Sequence, residues 1–215
     1  MPENLFEVQY DVTKKSKLKK FYEAYKIFIF SFIAILVILY GSFSFYLVNK
    51  EKEKILLSEN YLQAKIYLEG GDKNKAMNLL KEVIFANDPT YSSLCLFLIM
   101  NQNLITDYKE LSNLFDHLLE NNKFSREVRN LLIYKKALLN SNFVDESELL
   151  DSIRPLLNTQ TLWKPHGLLL LGDYFVSKGE HIKAIEFYQK IFTIKNLQKD
   201  FYNYARSQLA IIANE

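Results

Sequence analysis

Cysteine, histidine, proline and glycine are all scarce in this chain, and each scarcity removes a class of function. Among 215 residues there are one cysteine, three histidines, four prolines and six glycines. A single thiol cannot bridge within the chain, so a disulfide scaffold is excluded. Cys95 sits in the apolar stretch Ser93-Leu94-Cys95-Leu96-Phe97 and reads as a buried, inert thiol rather than a reactive one. His117, His166 and His181 lie far apart, with neither an HExxH spacing nor the short His/Cys spacing that a metal site on one helix needs. No GxSxG elbow, Walker loop or GxGxxG is present, which leaves nucleophile-elbow hydrolases and the common nucleotide folds without support. Gly70-Gly71-Asp72 reads as a turn between helices rather than a phosphate loop. Glu146, Glu148 and Asp151 cluster where a helix should begin, and acids there favour the helix dipole without forming a catalytic pair. The expectation is a protein with no catalytic residue, no metal, no cofactor and no small-molecule substrate.

Charge is missing from one long run. Residues 27–48, IFIFSFIAILVILYGSFSFYLV, contain none, and fifteen of these 22 are Ile, Leu, Val or Phe. As a helix the run would be roughly 33 Å long, enough for a hydrocarbon core of about 30 Å. Each of those apolar residues favours insertion by about 0.3–0.6 kcal/mol at a helix centre, and no charge opposes it. A cleavable signal peptide is the competing reading, but its apolar region should be shorter and end at a small-x-small site. Tyr46-Leu47-Val48-Asn49-Lys50 offers no such site, and no cysteine follows that could carry a lipoprotein anchor. The run reads as an uncleaved transmembrane signal anchor.

Orientation follows from lysine. Lys14, Lys15, Lys17, Lys19, Lys20 and Lys26 precede the span, against Lys50, Lys52 and Lys54 behind it. The excess places residues 1–26 as a basic cytoplasmic head and residues 49–215 across the membrane. Leu18, Phe21, Tyr22 and Tyr25 form an apolar stripe on that head, suited to an anionic inner leaflet or to a simple helical extension of the span. Subtracting the head's six lysines and four acids from the totals of 27 and 25 leaves 21 of each sign in residues 49–215. That formal neutrality gives no basic face, so no nucleic-acid partner is expected.

The outer segment is long enough for a continuous core. Its apolar residues recur at helical spacing, giving expected helices near 50–69, 73–86, 90–103, 107–121, 126–140, 145–157, 165–177, 181–193 and 198–213. In Pro165–Asn196, Leu171-Gly172, Phe175, Gly179, Ala184, Tyr188 and Ile191 occupy the seventh, eighth, eleventh, fifteenth, twentieth, twenty-fourth and twenty-seventh places. This pattern resembles the tetratricopeptide repeat, a helix-turn-helix unit of about 34 residues. Gly172 and Ala184 lack bulk, so two antiparallel helices can approach there, while Gly179 permits the turn. Leu57–Asp88 carries a second copy, with Ala64, Tyr67, Gly71, Ala76, Leu80 and Val83 at the corresponding places. Between Ala76 and Ala184 there is room for two degenerate units near 90–121 and 126–157, and residues 198–213 would cap the last pair. The expected fold is all-α: one N-terminal transmembrane helix, then an α-solenoid of tetratricopeptide-like helix pairs.

The whole pattern resembles the YfgM-like family of bacterial inner-membrane proteins, tetratricopeptide-repeat ancillary subunits of the Sec translocon. The resemblance rests on Leu5-Phe6-Glu7-Val8 through Lys17-Leu18-Lys19-Lys20, the span, and Leu162-Trp163 followed by Leu171-Gly172-Asp173. It implies a single-pass protein of the bacterial inner membrane with a periplasmic, non-catalytic domain. The implied partners are translocon subunits, a periplasmic chaperone or exported clients. In the wider repeat family ligands often lie along the first helix of each unit, at its second, fifth, ninth and twelfth places. Carried over, these are Ser58, Tyr61, Lys65 and Leu68, then His166, Leu169, Asp173 and Val176. Packing against the neighbouring repeat is the competing role, and for the leucines the favoured one. An assembly scaffold for another envelope complex (respiratory, secretion or division machinery) uses the same residues and differs only in partner. An envelope hydrolase would need a polar constellation in one cleft.

Overall fold

Helical spacing with few breakers yields nine helices and no strand among the described residues, which in this computed structural model are 17–158 and 161–214. They are α1 (Lys17–Glu69), α2 (Lys73–Phe85), α3 (Pro89–Asn101), α4 (Tyr108–Asn121), α5 (Arg126–Asn140), α6 (Glu146–Leu157), α7 (Lys164–Ser177), α8 (His181–Ile191) and α9 (Lys199–Ile212). The expected boundaries hold to within about two residues, the ordinary scatter at helix ends. The one departure is at the start. The helix expected at 50–69 is continuous with the apolar run, because the lysines, glutamates and leucines of residues 50–57 are good helix formers with no proline or glycine among them. Lys14, Lys15 and the Leu5–Val8 segment lie outside the described residues; Lys17, Lys19, Lys20 and Lys26 fall on α1.

The chain divides into two compact units, Met1–Ile55 and Leu56–Glu215. In the first, α1 exposes its large apolar side chains, Phe28, Phe30, Val37 and Tyr40 all above 60 %. It is the one described helix long and apolar enough to cross a membrane.

In the second unit each helix packs on the next, and contacts also join α2 to α4, α5 to α7 and α7 to α9. Alternate helices thus meet at α2 and α4 and along α5, α7 and α9, which sets these odd-numbered helices in one row. Two apolar cores fill the space between the helices. One gathers Ala64, Leu80, Ile84, Leu96, Phe115 and Leu132; the other Ala137, Ile153, Leu171, Phe175, Tyr188 and Ile191. Helix α5 serves both, Leu132 facing the first and Ala137 the second. A wholly buried leucine or phenylalanine contributes about 1.5–3 kcal/mol, so these faces hold the helices together.

Local chemistry sets the helix ends. Asp72, Asp88, Asp107 and Asp145 cap α2, α3, α4 and α6 by accepting backbone N–H bonds of 2.9–3.1 Å. Three turns share one geometry. Gly71, Asn103 and Gly179 take φ of +80°, +48° and +72°, and the N–H of the next residue reaches back to Tyr67, Ile99 and Phe175 carbonyls at 2.8, 3.0 and 2.9 Å. This is the glycine-type helix stop, with asparagine substituting in the middle case. The α5–α6 turn is different: the N–H groups of Phe143 and Val144 both reach the Asn140 carbonyl, and Phe143 stacks on Tyr108 with centroids 4.1 Å apart.

The closest approach is between α7 and α8. A Cβ built on Gly172 would stand 2.7 Å from Cζ and 2.8 Å from Cδ1 of Tyr188, closer than real side chains come. Ala184 is wholly buried on the facing helix. The small residues therefore do the job their spacing implies.

Candidate functional site

Ion pairs link even-numbered helices. Lys81 of α2 pairs with Glu110 of α4, and Lys183 of α8 with Glu146 of α6 at 2.7 Å. Hydrogen bonds to Glu146, then to Glu180, push the Lys183 amine up to about 12. Exposed pairs of this kind add little stability.

Hollows occur on both sets of helices: one of about 560 Å³ lies at Gly179–Lys183, where α8 begins, and three more lie along the odd-numbered helices. Between α3 and α5 lies a hollow of about 300 Å³ lined by Phe97, Met100, Asn101, Leu131 and Lys135. Leu131 also walls the next one, a cavity of about 390 Å³ between α5, α7 and α9, with Val128, Trp163, His166 and Phe201. A third, of about 310 Å³, continues over the N-terminal ends of the same helices and shares Glu127, Leu162, Gln198 and Phe201 with the second. Neighbouring hollows in this set share lining residues, and the third is lined mainly by polar groups.

An aromatic cluster shapes its centre. His166 makes edge contacts with Tyr134 (5.3 Å) and Phe201 (4.7 Å) and lies 4.8 Å from Trp163, which itself is 5.6 Å from Tyr134. The His166 Nδ1 lies 3.3 Å from the Leu162 carbonyl. A carbonyl only accepts, so in this contact Nδ1 carries the proton. Burial lowers the His166 pKa, Lys135 adds to the effect, and the Leu162 bond opposes it. The ring is therefore neutral at pH 7, and it behaves as an aromatic plate with one polar edge. Burial also raises the Tyr134 pKa, with a smaller contribution from Asp173.

Of the carried-over positions, His166 lines the cavity. Leu169 and Val176 are half-buried and pack on the second core. Asp173 is a positioning residue: its carboxylate accepts from Tyr188 of α8 at 2.6 Å and Tyr204 of α9 at 3.2 Å. On α1, Tyr61 packs against the first core, Ser58 and Leu68 are half-buried, and Lys65 is exposed. The structure does not bring these four into the cavity series with His166; the walls of the cavities come from α3, α5, α7 and α9.

Phe97, Met100, Val128, Leu131, Trp163 and Phe201 were missed by the residue-by-residue transfer, which reached only the two recognisable units. The signal was present as Val128, Leu131 and Lys135 at helical spacing on α5, and in the lone tryptophan beside Pro165. Among the described residues no three of His, Cys, Asp and Glu come close enough to hold a metal ion.

Among the described residues the architecture defines a class: an all-helical protein with one helix long and apolar enough to span a membrane, and a helical unit with hollows between its helices. No known family model, curated protein or solved structure matches the chain.

Proposed function

We propose that this chain is a membrane-tethered, non-catalytic interaction module whose odd-helix row receives segments of partner proteins. The observation that carries this reading is the pair of apolar hollows that share Leu131 and run from Phe97 to Phe201 along α3, α5, α7 and α9. Concave apolar surface with a few polar groups at its edge is the usual form of a recognition site. The Gly172–Tyr188 contact and the three matching turns support a tetratricopeptide-like arrangement.

The charge-free run supports a single-pass anchor, and the six lysines ahead of it against three behind support a cytoplasmic N-terminus. Together with the YfgM-like resemblance, this points to the periplasmic face of a bacterial inner membrane. The partners on that reading are translocon subunits, a periplasmic chaperone or exported chains. Purification of the full-length protein in mild detergent tests it. Co-recovery of translocon subunits or a periplasmic chaperone is the expected result. Recovery of neither, from cells where the protein is abundant, refutes the assignment. Stoichiometric recovery of respiratory, secretion or division subunits makes it a scaffold for another envelope complex.

A further inference from the structure

The cavity between α5, α7 and α9 is not uniformly apolar, since Glu127 is part of its lining. The Oε2 atom of Glu127 is sealed from solvent and accepts no hydrogen bond, while Oε1 is 3.3 Å from the outward-lying Arg126 Nε. The Glu127 side chain as a whole is 41 % exposed and is the one charged group in this lining, so a donor bound in the cavity would meet its carboxylate. The other walls are Val128, Leu131, Leu162, Trp163 and Phe201, with only Gln198 and His166 polar. No cation lines this cavity; Arg126 and Lys195 line the adjoining one, and Lys135, which acts on His166 electrostatically, lines the α3–α5 hollow.

We infer that this cavity takes the side chain of a lysine or arginine from a partner polypeptide, the aliphatic stem against Trp163, Leu131 and Phe201 and the charged head at Glu127. Three features fit such an occupant together. The aromatic faces of Trp163 and Phe201 attract a cation as well as an alkyl stem. Glu127 supplies the single negative charge, and its unpartnered oxygen reaches a bound donor by rotation about χ3, a soft torsion. A volume of about 390 Å³ is near the lower end of ligand cavities, roughly 300–1,000 Å³, and suits one long side chain. An acidic residue would meet Glu127 with like charge, and a purely apolar one would leave its oxygen unpaired. The inference rests on the reading of the odd-helix row as a partner-binding surface.

Trp163 is the sole tryptophan in the chain, so its emission reports on this cavity alone. Full-length protein in mild detergent is titrated with capped pentapeptides of sequence Ala-Leu-Xaa-Leu-Ala, where Xaa is arginine, lysine, norleucine or glutamate. Norleucine keeps the alkyl stem of lysine and removes its charge. The arginine and lysine peptides should change Trp163 emission saturably and bind about ten-fold more tightly than norleucine, as a charge-assisted hydrogen bond requires. The glutamate peptide should bind more weakly still. In Glu127→Gln the arginine and norleucine peptides should converge. Equal binding of lysine and norleucine by the unaltered protein overturns the inference and leaves the row as a peptide surface. If no peptide changes the emission, the reading of the row falls with it. The peptide comparison uses the unaltered chain, so a folding defect in Glu127→Gln does not remove the test.

Discussion

Replacing Gly172 with alanine puts one methyl group where the Tyr188 ring already stands. The built Cβ lies 2.7–2.8 Å from Cζ and Cδ1 of that ring. Tyr188 cannot step aside, because it is wholly buried and its hydroxyl is held by Asp173 at 2.6 Å. Overpacking of this kind costs about 1–3 kcal/mol. Alanine returns about 0.8–1 kcal/mol through its higher helix propensity. Gly167, on the same helix, supplies the control: its added Cβ would meet Ile153 and Leu157 side chains at 3.4 Å, an ordinary contact. Gly167→Ala should therefore keep the propensity gain without the clash. The two variants should differ in Tm by about 3–9 °C, at about 3 °C per kcal/mol for a unit of this size, with Gly172→Ala the lower. Thermal melts of full-length protein followed by circular dichroism at the helix band give the comparison. If Gly172→Ala melts at or above Gly167→Ala, the close α7–α8 contact is not where the structure puts it.

Alkaline stability should depend on the Asp173 node. Burial first, then Asp173, raises the pKa of Tyr188; the same causes raise that of Tyr204. Folding thus favours the protonated phenols, so their contribution is complete below the ordinary tyrosine value of about 10 and is lost as pH rises above it. Tyr188→Phe should cost about 1 kcal/mol at neutral pH through the lost hydrogen bond and should flatten the decline above pH ~10; urea melts at several pH values measure both, and an unchanged alkaline slope refutes the assignment. Cys95 is the simplest case. Burial pushes its thiol up to about 12, so it should resist maleimide in the native protein and react fully in denaturant; fast native labelling would contradict its place in the core.

Much of this was legible because single residues carry their own constraint. A charge-free run of 22 residues announces a helix long and apolar enough to cross a membrane, since length and composition alone set that property. Gly71 and Gly179 announce turns, since a positive φ is cheap only for glycine. The alternation of apolar residues gave the helices and their ends. The spacing places the α3–α4 turn, but the residue that makes its stop was not legible. Asn103 takes the same left-handed conformation as the two glycines, but asparagine is common on any surface and does not by itself mark a helix stop.

The amino-acid sequence thus determined by itself the helical class, the candidate span, the lysine asymmetry and the small residues at the α7–α8 contact. Only the tertiary structure decided which faces meet. It turned Asp173 from a groove candidate into the acceptor for two tyrosines 15 and 31 positions away. It also drew Phe97, Leu131, Trp163, His166 and Phe201, from four helices, into one series of hollows. The physical reason is that periodicity fixes which side of a helix is apolar, whereas a cavity is a gap between helices. That gap depends on how closely each pair packs, and so on side chains far apart in the chain.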